Sequence, residues 1–255
     1  MNYINTHSHI YLPQFDEDRH KAIDRAQQQG VHKILLPDID STHRKEIDQT
    51  VSEFPDICVP MAGIHPTSVD ENYKQEIEKF EARIQQQDIC AIGEIGLDLY
   101  WDTSFLEQQI HTCTHQILTA QRIHKPIVLH VRNAFTEIFE LLESINIPTY
   151  TGVFHCFSGS LHDAQKAIEH GLLLGIGGVV TFKNSGLDAV VKEIDLQHIV
   201  LETDDPYLTP TPYRGKRNEP AYITYVAEKI AEIKQCSVQT VVDITTANAR
   251  NIFSV

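Results

Sequence analysis

Ile4-Asn5-Thr6-His7-Ser8-His9 opens the chain with a short apolar run that ends in two histidines one residue apart. The run reads as a β-strand. In an extended chain, side chains at i and i+2 point to the same side. His7 and His9 therefore present two imidazoles to one point, as a metal ion requires. A His-x-His at a strand end occurs often by chance, so its meaning depends on whether later strands each deliver a further ligand.

Apolar runs alternate with amphipathic stretches along the whole chain, the pattern of a parallel sheet wrapped by helices. Strands are predicted at 3–7, 33–37, 57–63, 89–95, 126–130, 151–155, 172–176 and 198–202. Helices are predicted near 17–29, from an N-cap at Ser41 to about 53, and over 73–86, 103–122, 134–144, 160–170 and 187–194, with two more at about 221–234 and 238–253. Eight strand–helix units without a linker or low-complexity segment predict a single α/β domain over residues 1–255, a closed (β/α)8 TIM barrel. Its active site would lie at the C-terminal ends of the strands.

Composition narrows the function classes. With 42% hydrophobic and 22% charged residues the chain is globular, and no apolar run approaches the roughly 20 residues of a membrane helix. No basic and apolar leader is visible at the N-terminus. The five cysteines Cys58, Cys90, Cys113, Cys156 and Cys236 include no C-x-x-C pair, which points to free thiols and a reducing cytoplasm. A formal charge of −14 opposes broad capture of nucleic acid, so contact with a polyanion should be short and local. Two bound divalent cations would leave the chain acidic.

Taken in order, the predicted strand ends carry His7 and His9, His65, Glu94, His130, His155 and Asp204. Imidazole and carboxylate suit Zn, Mn, Mg or Fe. Glu94, midway in the set, can bridge two ions with one oxygen to each. Asp204 can take a proton from a water whose pKa a metal has lowered, with Glu202 on the same strand face as the competing candidate. Asp205 points elsewhere and caps a loop, and Asp98 fixes its own loop by hydrogen bonding. The other histidines among the chain's 14 read as surface groups. Tyr100 and Trp101, in a loop after a ligand strand, could stack a base, whereas Phe157 reads as core.

The chain resembles the TatD family of metal-dependent deoxyribonucleases, amidohydrolase-like barrels. The matching segments are Thr6-His7-Ser8-His9, Phe15-Asp16-Glu17-Asp18-Arg19, Gly63-Ile64-His65-Pro66, Gly93-Glu94-Ile95-Gly96-Leu97-Asp98, His130-Val131-Arg132-Asn133-Ala134, His155-Cys156-Phe157-Ser158-Gly159, Glu202-Thr203-Asp204 and Arg214-Gly215-Lys216-Arg217-Asn218-Glu219-Pro220. The resemblance implies that His7, His9, Glu94 and Asp204 hold one divalent ion and Glu94, His130 and His155 a second. It implies phosphodiester hydrolysis, usually of DNA from an end, with His65 and Arg132 near the substrate phosphate. It also favours Arg214 and Arg217 as a phosphate-gripping loop. The chain departs from the family pattern at Asn5, where Asp is usual, at Thr67 and at Asp205. Asn5 faces the same side as His7 and could support it. The alternative to a nuclease is a hydrolase of small amides, lactones or phosphoesters working at the same centre; a non-catalytic barrel would have lost ligands, and none is lost. A monomer is assumed.

Overall fold

The computed structural model describes residues 1–255. Eight parallel strands alternate with helices: β1 (Tyr3–Asn5), α1 (Arg19–Gln28), β2 (Val31–Leu36), α2 (Arg44–Glu53), β3 (Cys58–Pro60), α3 (Tyr73–Gln86), β4 (Ile92–Asp98), α4 (Leu106–Arg122), β5 (Ile127–Arg132), α5 (Phe135–Ile145), β6 (Gly152–Phe154), α6 (Leu161–Glu169), β7 (Leu172–Ile176), α7 (Leu187–Glu193), β8 (Ile199–Leu201), α8 (Ile223–Lys234) and α9 (Val238–Phe253). The ladders run β1-β2-β3 and β4-β5-β6-β7-β8. Hydrogen bonds join the two sets at both seams. Between β3 and β4, Cys90 N–H donates to Pro60 O and Gly93 N–H to Ala62 O. Between β1 and β8, Thr6 N–H donates to Leu201 O and His9 N–H to Asp205 O. The wall is therefore continuous, as a TIM barrel demands.

An interior layer explains how the site is built. Ile4, Leu35, Met61, Val128, Val153 and Val200 pack together inside the wall with Ala249 and Phe253 of α9. His130, His155 and Glu202 each lie two residues beyond one of these valines. Strand alternation thus carries the inward direction from the apolar plug to the polar groups above it. The larger apolar cluster lies between wall and helices, where each fully buried aliphatic side chain contributes about 1.5–3 kcal/mol.

Several elements differ from the sequence expectation for identifiable reasons. β1 stops at Asn5, because the chain from Thr6 onward leaves the ladder and is gripped on both sides: Ser8 N–H donates to Leu35 O and Asp204 N–H to His7 O. Ser41 does not cap α2, which begins at Arg44; its hydroxyl donates instead to Glu76 Oε1 at 2.9 Å on α3, a charged and stronger acceptor. β4 runs on to Asp98, buried throughout, so Glu94 sits within the strand. A register irregularity lies there, Ile92 opposing Ile127 and Ile95 opposing Leu129, so three steps of β4 match two of β5. Such a bulge re-aims a side chain, here that of Glu94.

Gly96 pairs with His130 across β4 and β5 at φ +140°, where an added Cβ would lie 2.0 Å from the His130 carbonyl oxygen. Gly96→Ala should cost more than about 3 kcal/mol, read as a lowered urea midpoint or Tm. A wild-type midpoint in that variant would show that the two strands tolerate separation.

Candidate metal centre

The two oxygens of Glu94 divide the centre. Oε2 lies 3.2 Å from His7 Nε2 and 3.7 Å from His9 Nε2. Oε1 lies 2.8 Å from His130 Nδ1, 3.3 Å from His65 Nε2 and 3.6 Å from His155 Nε2. Asp204 Oδ1 closes the far side, 3.5 Å from His9 Nε2, 3.7 Å from His155 Nε2 and 4.0 Å from His7 Nε2. The six predicted ligands gather around Glu94 in overlapping groups, His7 with His9 and Glu94, His7 with His155 and Asp204, and His130 with Glu94 and His65.

What lies behind each imidazole decides which nitrogen faces the centre. The Tyr11 hydroxyl donates to Pro37 O at 2.8 Å, so its lone pair accepts from His9 Nδ1–H at 2.9 Å. That leaves the His9 Nε2 lone pair aimed inward. His155 Nδ1 rests 3.1 Å from Glu202 Oε1, which also accepts the Cys156 N–H at 2.7 Å. His130 is turned the other way: its Nε2 meets Asp98 Oδ2 at 3.0 Å, and Nδ1 faces Glu94. These are the outer partners that orient metal-binding imidazoles.

His65 is a different kind of group. The Thr67 N–H donates to its Nδ1 at 3.1 Å, and burial keeps the ring below its ordinary pKa against the opposing charge of Glu94. A neutral imidazole accepting at Nδ1 carries its proton on Nε2. His65 therefore presents N–H to Glu94, a donor suited to an oxygen anion, although its Nε2 also clusters with Glu94 and His130 as a group able to hold an ion.

The protein's own charges set the protonation pattern. Burial pushes His155 down, but the charges of Glu202 and Glu94 overcome it and raise the ring to about 10. His7 is driven to about 4, first by burial and then by His155, against which its ring stacks at 3.4 Å between centroids. Burial opposes ionisation of Glu94, yet His65, His7 and His155 hold its carboxyl well below the ordinary range. Asp204 follows the same balance: burial raises it, while the neighbouring His9, His155 and His7 imidazoles outweigh that and lower it. Two ionised carboxylates, Glu94 buried and Asp204 partly open, ringed by imidazoles fit divalent cations, and His155 must shed a proton to bind one.

The remaining expectations sort as follows. Glu202 is fully buried behind His155 and does not reach the centre, whereas the partly exposed Asp204 does. Asp98 holds its loop as expected, its Oδ1 accepting the N–H groups of Tyr100 and Trp101, and it also orients His130. Asp205 points away and accepts from Ser8 Oγ at 2.9 Å and from the Thr203 hydroxyl, locking the β1–β8 seam where a loop cap was expected. Asn5 does not support the His7 ring: its amide donates to Thr203 Oγ1 at 2.7 Å and its oxygen accepts the Thr203 N–H, leaving His7 Nδ1 buried without a partner. Arg132 is exposed and lies over the Tyr100 ring at 3.7 Å. Arg214 is exposed and stacks on Phe182. Arg217 does not offer a free fork; both its terminal nitrogens bind Asp18, at 2.7 and 2.8 Å, while its guanidinium covers Phe15. Tyr11 was missed by sequence reasoning because it lies in the turn that Leu12 N–H closes onto His9 O, beyond the reach of strand alternation.

A family model described as TatD related DNase matches residues 4–254. The uncharacterised metal-dependent hydrolase YabD of Bacillus subtilis is 34% identical over 252 residues, 98% of each chain. The 3'-5' ssDNA/RNA exonuclease TatD of Pectobacterium carotovorum is 30% identical over 246 residues, covering 94% of this chain and 95% of its own. Among solved structures, the TatD homologue YjjV of Escherichia coli superposes with a TM-score of 0.92 at 27% identity, over 99% of this chain and 98% of that one.

Tyr11→Phe removes the acceptor for His9 Nδ1–H and should weaken cation affinity by roughly 10–100-fold, measured by competition against a chromophoric chelator. Unchanged affinity would remove Tyr11 from that role. A second expectation concerns pH. The Arg217 hydrogen bond holds Asp18 at about 2, below its ordinary value, so the stability it lends is complete above about pH 4 and is lost as pH falls toward 2. Urea midpoints should decline less steeply over that window in Arg217→Ala, the difference amounting to about 1 kcal/mol after solvent screening.

Proposed function

Since this chain belongs to the TatD related DNase family of metal-dependent hydrolases, we propose that it is a two-metal phosphodiesterase that removes nucleotides from the ends of DNA. The observation that carries this reading is the split of Glu94, one oxygen among His7 and His9 and the other beside His130 and His155. His7, His9, Glu94 and Asp204 would hold one divalent ion (Zn, Mn, Mg or Fe), and Glu94, His130 and His155 the second. When bound, such a pair lowers the pKa of water and neutralises charge on attacking and departing oxygens.

The chain's own groups then have defined tasks. Asp204, ionised and partly open, accepts the proton of the attacking water. His65 donates its Nε2–H to a phosphate oxygen, and Arg132 offers a planar fork to the same group. Glu202, Asp98 and Tyr11 hold the imidazoles in the tautomers this requires. The exonuclease named for the Pectobacterium relative supports a nucleic-acid substrate, and the acidic surface limits contact to a short stretch near the site. One chain supplies every residue invoked, so a single-domain monomer can work alone. Five free thiols support a reducing cytoplasm as its compartment.

Purified protein given Mg, Mn or Zn should release nucleotides from single-stranded DNA faster than it turns over small esters or lactones, and EDTA should abolish the release. Asp204→Asn should lower kcat by roughly 10²–10⁴-fold while keeping most of the bound metal, whereas Glu94→Ala should lose both ions. Absence of release with all three metals, or equal activity in the two variants, overturns the reading.

A further inference from the structure

Five large apolar or aromatic side chains are conspicuously exposed: Met1, Tyr100, Trp101, Leu118 and Tyr207. Three of these, Tyr100 at 52%, Trp101 at 70% and Tyr207 at 49%, lie on loops that leave the ligand-bearing strands. Trp101 follows β4, and its N–H is held at 3.3 Å by the same Asp98 carboxylate that orients His130. Tyr207 follows Asp204, its N–H donates to the Asp204 carbonyl, and its ring stands 6.1 Å from that of His9. An aromatic group thus flanks the centre on each side, one tied to the His130 half and one to the His9 half. Buried aromatic surface stabilises a fold, so leaving three rings in water beside the chemistry calls for an occupant.

Charge identifies that occupant. Arg132 lies over the faces of Tyr100 at 3.7 Å and Trp101 at 5.4 Å. Its guanidinium makes no ion pair, unlike those of Arg19, Arg25, Arg44, Arg83, Arg122 and Arg217, although Asp and Glu outnumber Lys and Arg in this chain by 35 to 21. A free cation joined to open aromatic faces matches a group with an anionic link and a flat ring, which is a nucleotide unit in a single strand. A duplex keeps its bases stacked on one another and offers these faces nothing.

We propose that Trp101, with Tyr100, Arg132 and Tyr207, forms a subsite that stacks an unpaired base next to the phosphate being cut, indifferent to base identity. It rests on the phosphodiesterase reading above and adds the requirement for an unstacked strand end. Arg132 is positioned by its aromatic neighbours to meet the adjoining phosphate. Trp101 supplies the most accessible face, and Asp98 fixes the loop relative to His130.

Trp101 is the chain's single tryptophan, so its fluorescence reports the subsite without any turnover. Full-length protein in EDTA should be titrated with a phosphorothioate single strand and with a twin carrying an abasic end. The base-bearing strand should quench the emission, and the abasic twin should quench far less. In steady state, wild-type protein should show a KM about tenfold lower for the normal strand than for the abasic one. Trp101→Ala should bring the two values near parity, and Trp101→Phe should restore most of the preference. Equal quenching by the two strands, an unchanged KM ratio in Trp101→Ala, or quenching by phospholipid vesicles and not by the oligonucleotide, overturns the subsite. Nuclease activity with no base-dependent quenching would reject the subsite alone, whereas base-dependent quenching without hydrolysis would reject the phosphodiesterase reading alone.

Discussion

The carboxylate of Glu94 is the constraint on which the rest of the structure depends. It is buried among five imidazoles, and burial alone would keep it protonated. The surrounding rings keep it ionised, and an ionised Glu94 in turn explains why so many nitrogens crowd one point. Removing either side leaves a buried charge or a set of buried polar rings without a partner, the costly state of a half-satisfied network. The bulge in β4 and the close Gly96–His130 pairing both serve to bring this one side chain inward. The fold positions Glu94, and Glu94 organises the centre.

Around it the protein separates ligation from orientation. Hydrogen-bonded outer partners fix the inward nitrogen of His9 and His130, namely Tyr11 and Asp98; Glu202 Oε1 stands 3.1 Å from His155 Nδ1 as a charge partner, and His7 has neither. His65 carries the opposite instruction, since Thr67 leaves it a donor toward the centre. The His7 exception follows from Asn5, whose amide is committed to Thr203. Proton count and metal count are therefore coupled: against burial, Glu202 and Glu94 raise His155, and Asp98 and Glu94 raise His130, so protonation of both rings opposes cation binding.

Much of this was legible in the sequence. Tyr73–Gln86 and Val238–Phe253 form as read because their periodicity is set by one buried face, and Leu172–Ile176 because a short apolar run suits a strand buried on both sides. The strand-end residues were legible because alternation along a short strand fixes side-chain direction. Hidden from that reading were features that depend on a second, remote segment. Ser41 looked like a cap until α3 brought Glu76 within reach. Glu202 looked like a rival to Asp204 because strand alternation cannot tell a residue behind an imidazole from one in front of it. Arg217 looked free because its partner, Asp18, lies 199 residues away in the chain.

The seam between β1 and β8 has a consequence of its own. The chain's connectivity enforces every other neighbouring pair of strands through a short crossover, but these two meet only when the first and last segments find one another. His7 and His9 stand on one side of that joint and Asp204 on the other, with Ser8–Asp205 and Asn5–Thr203 bracing it. A cation held as proposed by all three would act as a rivet through the joint, so occupancy would add to the stability of the closed barrel by mass action. For the same reason a nascent chain has no working centre until its eighth strand docks, and unfinished copies stay inert toward whatever the finished one cuts.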